Sequence, residues 1–321
     1  MPIPSPFHER TSKLCTSLSW KDWAGYHAVR SYDTYVDREY FALRHAAGLI
    51  DVTPLFKYEV YGPDAASFLS RIMVRNVEKL KQNQVFYTCW CDGDGKVVDD
   101  GTVTRLRETY FRVTSADPAF AWLSRFARGC DVRIEDSTGR FAALSLQGPT
   151  SREVLNDVCD QPVDVLKYFW MMSNTIEKAE VFVSRTGYTG DLGYEIWIEN
   201  EDAISVYDAL ISGGTPFGLE PVGLDAMDIT RIEAGYMLNG VDYYNATHCL
   251  IESRKSTPYE LDLGWMVRLK RPPFNGSVAL KKEKAAGPVR KLVCVDVDWD
   301  ELEAHFNKIG LPAEINNGGW R

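Results

Sequence analysis

Phe56-Lys57-Tyr58-Glu59-Val60-Tyr61-Gly62-Pro63-Asp64-Ala65-Ala66-Ser67-Phe68-Leu69-Ser70-Arg71-Ile72 changes its period halfway along. Phe56, Tyr58 and Val60 alternate with Lys57, Glu59 and Tyr61, and a period of two marks a strand. Gly62-Pro63-Asp64 breaks it. Ala65, Phe68, Leu69 and Ile72 then share one face of a helix, whose first turn suits proline because that N–H has no partner there. The device recurs: 142–146 reads as a strand, Gly148-Pro149-Thr150 breaks it, and a helix runs through Val154 and Leu155. Leu69 and Leu155 stand at the same offset from Gly62 and Gly148. Two such units predict an α+β fold of two related halves. The competing reading, two unrelated helices with the same start chemistry, stays open at this level.

Outward from these units, residues 18–41 are crowded with Trp20, Trp23, Tyr26, Tyr32, Tyr35, Tyr40 and Phe41. A helix is expected over 37–47, ending at Gly48. Asp92-Gly93-Asp94-Gly95 reads as the tight turn of a hairpin joining 86–91 to 97–106. A strand at 179–184 runs into the glycine-punctuated loop Gly187–Gly193 and resumes over 194–198. Helices follow at about 203–213 and 224–234. Pro272-Pro273 and Gly287-Pro288 punctuate the chain before a strand expected at 290–297, with a subdomain boundary near residue 275.

A chain of 321 residues is comfortable for two or three packed subdomains sharing a large core. With 45% apolar and 25% charged residues it reads as an ordinary globular protein. A net charge of -9 argues against a nucleic-acid or anionic-membrane footprint, which needs a basic surface. No apolar run approaches the roughly 18–20 residues of a membrane span. The start, Met1 to Pro6, lacks a signal-peptide pattern, so the expectation is a cytoplasmic protein. Seven cysteines at irregular spacing fit reduced thiols; Cys89 and Cys91 are too close for a CxxC pair.

Gly93-Asp94-Gly95-Lys96 lacks phosphate-loop spacing, and no dinucleotide-binding glycine fingerprint is present. Asp92, Asp94, Asp99 and Asp100 fail the calcium-loop pattern, with Val97 where glycine is required. The five histidines show no HxxxH spacing, so no metal site is expected. Two carboxylate positions remain. Asp99 and Asp100 follow Val97-Val98, and adjacent strand residues face opposite ways, so one of the two faces a pocket or core. Burial there demands hydrogen bonds. Glu195 stands in a strand directly after the glycine loop. For both positions the pattern leaves a solvated carboxylate as the alternative.

Taken in order, these residues resemble a known family. Gly187-Tyr188-Thr189-Gly190-Asp191-Leu192-Gly193-Tyr194-Glu195-Ile196 is similar to the GYTGExGxEI signature of glycine-cleavage T-proteins. Ala47-Gly48-Leu49-Ile50-Asp51-Val52 resembles AGLFDV, and Gly95-Lys96-Val97-Val98-Asp99-Asp100 resembles GGxxDD. Leu146-Gln147-Gly148-Pro149 matches LQGP, and Arg231-Ile232-Glu233-Ala234-Gly235 resembles RLEAG. Thr257-Pro258-Tyr259-Glu260 followed by Leu263-Gly264-Trp265 resembles TPxExxLGW. Six collinear segments over about residues 40–297 identify a member of the T-protein (aminomethyltransferase) superfamily.

The resemblance implies three subdomains around a central folate channel. Two α+β units form an aminomethyltransferase-like body over 1–274, and 275–321 begins a C-terminal β-barrel that stops short at Gly318-Gly319-Trp320-Arg321. It implies tetrahydrofolate as cofactor, Asp100 as the catalytic carboxylate, and Tyr87, Asp100, Tyr188 and Glu195 as folate-binding residues. Glu195 would accept the paired donors of the pterin edge.

The chain also departs from the T-protein pattern. Met227 stands where GARDxLR has its arginine, Asn239 where LYG has tyrosine, and Asp51-Val52-Thr53-Pro54-Leu55 where T-proteins have DVSHM. With Ser115-Ala116-Asp117 and the aromatic N-terminus, these point toward relatives that demethylate small molecules. The expected function is therefore transfer of a methyl or methylene group from a small methylated donor to tetrahydrofolate. Trp20, Trp23, Tyr26 and Tyr32 are candidate faces for a cationic donor, or simply core. The alternatives are aminomethyl transfer from a lipoyl carrier protein, and a non-catalytic folate-binding accessory protein. The accessory reading is weakened because Ser184-Arg185-Thr186-Gly187-Tyr188 stands where such relatives have KGCYxGQ.

Overall fold

A computed structural model describes residues 1–293 and 295–311. The chain opens with α1 (His8–Leu14), the hairpin β1 (Ser19–Trp23) and β2 (Tyr26–Ser31), α2 (Asp37–His45) and β3 (Ala47–Asp51). It crosses to β4 (Phe56–Tyr61), α3 (Ala65–Ile72), β5 (Val85–Cys91), β6 (Val97–Arg107), β7 (Tyr110–Ser115), α4 (Phe120–Phe126) and β8 (Arg133–Asp136). It then returns through β9 (Phe141–Gln147), α5 (Ser151–Val158), β10 (Met171–Ile176), β11 (Ala179–Ser184), β12 (Gly193–Glu199), α6 (Ala203–Gly214), β13 (Leu219–Pro221) and α7 (Leu224–Glu233). Besides the two-stranded β1-β2 hairpin, the described residues form two larger sheets, one ordered β10-β11-β12-β9-β3-β13 and the other β5-β6-β7-β4-β8. All pairings are antiparallel except β13 with β3.

The two Gly-Pro units sit in different sheets and repeat each other in atomic detail. Gly62 and Gly148 have φ of +131° and +121°. A Cβ on Gly62 would lie 2.4 Å from the Asp131 carbonyl oxygen, and one on Gly148 would lie 2.5 Å from that of Ala46. Only glycine accepts that backbone at that closeness. Two residues on, the Asp64 N–H donates to Asp131 O at 3.3 Å and the Thr150 N–H to Ala46 O at 3.0 Å. Each helix then lays its apolar face on its own sheet. Phe68, Leu69 and Ile72 of α3 join Val60, Val103, Phe111 and Val113, and Val154 and Leu155 of α5 join Leu144, Leu146 and Ile196. The two units therefore share the same backbone geometry at the Gly-Pro break.

The alternation read at β4 does mark a strand, and because the inner faces of the sheets meet, both of its faces are buried. Lys57 and Glu59 occupy the positions that a solvated face would present, yet they are 0% and 3% exposed. Glu59 pairs at 2.8 Å with Arg112 of β7, and the Arg112 guanidinium lies 4.0 Å from the Phe141 ring centroid of the opposing sheet. The Lys57 ammonium donates to Thr53 O at 2.6 Å and Leu55 O at 2.8 Å. Charged residues line the buried face because each finds a partner there.

Two local expectations are corrected. The helix at α2 ends at His45, and Gly48 lies inside β3. A Cβ there would come within 2.6 Å of Leu43 and 2.7 Å of Val222, so this glycine serves close packing rather than helix termination. Beyond residue 275 the chain forms α8 (Ser277–Ala286) and α9 (Trp299–Lys308). Leu280 of α8 is fully buried among Cys91, Val97 and Phe274. The strand expected at 290–297 is not paired among the described residues, and Val293, Val295 and Val297 stay exposed. β-propensity needs a neighbouring strand edge to become a ladder. Cys294 and residues 312–321, including the expected end of a barrel segment, lie outside the described residues.

Candidate functional site

A cavity of about 780 Å³ opens between the two sheets, within the range of small-molecule sites. Tyr87, Asp100, Tyr188 and Glu195 all line it. The fold thus gathers on one surface four residues that lie up to 108 positions apart (195 − 87).

Asp100 reaches the cavity because of the register of β5 with β6. Cys89 pairs with Asp100 and Tyr87 with Thr102, so Tyr87 and Asp100 are diagonal neighbours on one face. The Tyr87 hydroxyl donates to Asp100 Oδ2 at 2.8 Å, and the Tyr243 hydroxyl donates to Oδ1. Burial raises the Asp100 pKa, and the two phenols oppose it by stabilising the carboxylate. Both phenols are pushed well above their ordinary value by burial and by the neighbouring Asp100 charge.

Asp99 points the other way, as strand alternation requires. It is 1% exposed and accepts from the N–H groups of Ala116 and Asp117 at 3.1 and 2.9 Å, and from Asn239 Nδ2 at 2.9 Å. Burial, then the adjacent Asp100 charge, holds its pKa well above the ordinary carboxylate value. One carboxylate therefore serves the cavity while its neighbour anchors the 115–117 turn beneath it.

Across the cavity, the glycine loop is wound around one side chain. A Cβ on Gly187 or Gly193 would lie 2.0 Å from Gln147 Oε1. The Gln147 amide donates to Ser145 Oγ at 2.9 Å and Thr186 O at 3.3 Å, and accepts from Thr189 Oγ1 at 3.2 Å. The glutamine of the Leu146–Pro149 segment is the post, and the glycines let the backbone close on it. From this loop Tyr188 stacks on Tyr236 at 5.7 Å and donates its hydroxyl to Met237 O. Glu195 accepts from Thr186 Oγ1 at 2.7 Å, and that is its one side-chain hydrogen bond among the described residues. Burial raises its pKa and the Thr186 bond counters it.

Arg231 ties the helix side of the site together. It is 2% exposed and bonds Asp228 at 2.7 Å, the Tyr236 carbonyl at 3.0 Å, and Asp242. Asp242 also accepts from the Leu238 N–H at 2.8 Å. The 236–243 loop so fixed delivers Asn239 to Asp99 and Tyr243 to Asp100. Tyr243 escaped the sequence reading because it lies 143 residues from Asp100 with no motif of its own. Arg75 and Thr186, both on the cavity wall, escaped it likewise.

Of the N-terminal aromatics, Trp23 lines the cavity. Trp20 instead packs on His8 and His27, and Tyr32 is buried beside Cys15 and Val29. Met227, Asn239 and Leu55 are all on the cavity wall, so each departure noted in the sequence falls at the site. Asp92 is used up in its turn, accepting from the Asp94 and Lys96 N–H groups at 3.0 and 2.9 Å. Among the described residues no cluster of three or more His, Cys, Asp or Glu is placed to hold a metal, and no helix is long and apolar enough to cross a membrane.

With this geometry in hand, the comparisons with known proteins are direct. The GCVT N-terminal domain family matches residues 7–271. An aminomethyltransferase of Halothermothrix orenii is 38% identical over 287 residues, covering 88% of this chain and 76% of the relative. One from Bacillus pumilus is 37% identical over 268 residues, covering 82% and 71%. The crystal structure of glycine cleavage system aminomethyltransferase T from Bartonella henselae superposes with a TM-score of 0.79 at 27% identity, over 90% of this chain and 76% of that one. The chain belongs to the GCVT family, within the glycine-cleavage T-protein superfamily.

Proposed function

We propose that this protein is a tetrahydrofolate-dependent one-carbon transferase, and that its donor is the aminomethyl group on the sulfur of a lipoyl carrier protein: the C–S and C–N bonds break, the carbon passes to tetrahydrofolate as a methylene, and ammonia and the dihydrolipoyl thiol are released. The observation that carries the reading is Asp100, held by Tyr87 and Tyr243 on the wall of the cavity that also presents Glu195 and Tyr188. The names of the relatives favour this donor over the small methylated compound suggested by the departures at Met227, Asn239 and the 51–55 segment. In this reading the folate-binding body spans residues 1–274.

The lining fits a folate. Glu195 has one oxygen held by Thr186 and the other without a protein donor among the described residues, ready for the paired N–H donors of a pterin edge. Tyr87 and Tyr188 offer flat ring surface. When bound, tetrahydrofolate supplies a nucleophilic ring nitrogen that takes up the one-carbon unit. Asp100 supplies a fixed negative charge where positive charge develops, and its Oδ atoms are the place to hold a proton in transit. Asn239 and the 115–117 turn keep that carboxylate pair from shifting. Positioning within a cavity shielded by both sheets supplies the remainder.

A second reading has its own support. Met227 gives the wall an uncharged thioether, and Trp23 and Trp197 give it aromatic faces, which suits a small sulfonium or quaternary ammonium donor. Anaerobic mass spectrometry of the folate product separates the two. The protein is incubated with tetrahydrofolate and either the loaded lipoyl carrier or a panel of methylated sulfonium, amine and ether compounds. Methylenetetrahydrofolate formed only with the carrier upholds the proposal. Methyltetrahydrofolate formed with a small donor replaces it by the second reading. Folate binding without either product moves the protein to an accessory role.

A further inference from the structure

The wall of the cavity carries three carboxylates, Asp100, Glu195 and Asp262, but among the described residues only one cation, Arg75. Arg75 is half-buried, and among the described residues no carboxylate pairs with it. Its guanidinium lies 3.8 Å from the Phe86 ring centroid and 5.8 Å from that of Trp265. Nη1 donates to the Tyr87 carbonyl at 3.2 Å, and no other donor of its side chain has a protein partner among the described residues. Trp265 is 54% exposed, so this corner is the rim of the cavity. A second guanidinium flanks it. The Arg268 N–H donates to Val74 O at 3.0 Å, next to Arg75 in the chain, and the Arg268 side chain folds back onto the Trp265 carbonyl. Burial, and then the Arg268 charge, lowers the Arg75 pKa to about 10.

An unpaired guanidinium between rings, beside a like charge, is a costly arrangement unless a ligand completes it. We propose that Arg75, backed by Arg268, anchors the carboxylates at the tail of the bound folate. The inference rests on the folate reading above. Folate carries N–H donors at its ring end and glutamate carboxylates at its other end. The cavity presents acceptors at Glu195 and Asp100 and the cation Arg75 at the Trp265 rim, which is the complementary order. Phe86 and Trp265 restrain the guanidinium while its free N–H groups remain to grip a carboxylate in a fork.

The test is anaerobic titration of the intrinsic tryptophan fluorescence, for which Trp265 is the adjacent reporter. Tetrahydrofolate and tetrahydropteroate, which shares the rings and lacks the glutamate, are each titrated into wild type, Arg75→Gln and Arg75→Lys. Wild type should prefer tetrahydrofolate by about 10- to 100-fold, the worth of a hydrogen-bonded charge pair. In Arg75→Gln the preference should collapse while tetrahydropteroate affinity stays the same, with Arg75→Lys intermediate. A wild type that binds both ligands equally, or an Arg75→Gln variant that keeps the preference, overturns the proposal and leaves the folate reading standing. An effect confined to the KM of a carboxylated donor overturns it as well. Binding of neither ligand by wild type overturns the folate reading and this proposal together.

Discussion

The phenol of Tyr87 donates to Oδ2 of Asp100 at 2.8 Å, across a strand pair in which the two residues are diagonal neighbours. From the far side Tyr243 closes on the other oxygen of the same carboxylate. Asp100 is thus a charge held in place by two donors from separate segments, and the consequences can be measured.

Asp100→Asn keeps the shape but removes the charge and leaves one acceptor oxygen for the two phenols. Turnover should fall by about 10³-fold, within the span of lost electrostatic or acid–base catalysis. Far-UV circular dichroism should stay near wild type. Wild-type turnover in this variant would remove Asp100 from the chemistry.

Tyr243→Phe and Tyr87→Phe each delete a hydrogen bond to the ionised carboxylate while leaving the burial that raises its pKa. The Asp100 pKa should rise further in each variant, because a bond that favours the carboxylate is lost. If the carboxylate form is the active one, the acid limb of the pH–rate profile moves to higher pH in both variants. An unmoved limb would show that some other group sets it.

The glycine loop should reject any side chain at its contact with Gln147. Gly193→Ala brings a methyl into an amide 2.0 Å away and should cost about 1–3 kcal/mol in thermal or urea unfolding. Gln147→Ala should itself destabilise, by emptying the centre of the loop. The double variant should lose less than the sum, because each change relieves the other. Strict additivity would count against this packing.

Arg231→Ala should destabilise by about 1–3 kcal/mol, since it removes a buried hydrogen-bonding hub while Asp228 and Asp242 stay accessible to water. The same change frees the 236–243 loop, so activity should fall further than unfolding alone accounts for at a temperature well below the transition. Activity per folded molecule separates the two effects.

Lys57 makes stability depend on pH. Burial lowers its pKa from 10.5 to about 7. Below about pH 7 both folded and unfolded chains hold the proton, and the burial penalty is fully present. Between about 7 and 10.5 the unfolded chain binds more protons, so stability rises with pH. Denaturation of wild type and Lys57→Met across pH 6.5–10 should therefore show the difference shifting in favour of wild type as pH increases. A constant difference would mean that Lys57 titrates normally.

The strand–Gly-Pro–helix units, the hairpin turn at Asp92–Gly95 and the span Ala179–Ser184 follow from local pattern, because period, proline and glycine act within a few residues. Asp100, Tyr87, Tyr188 and Glu195 were legible through ordered motifs. What joins them was not. The pairing of Tyr243 with Asp100, the post that Gln147 makes for the glycine loop, and the bare guanidinium of Arg75 depend on which segments meet across the two sheets. The clearest case is Lys57 and Glu59. Alternation told only that they share one face of a strand, and that face is buried because a second sheet bearing Phe141 and Trp197 covers it. Sequence by itself determined the elements and the family, since both are written in short-range order. Only the tertiary structure decided which side of each strand meets solvent and which carboxylate meets the cavity, since burial is a property of the packed halves and of neither half alone.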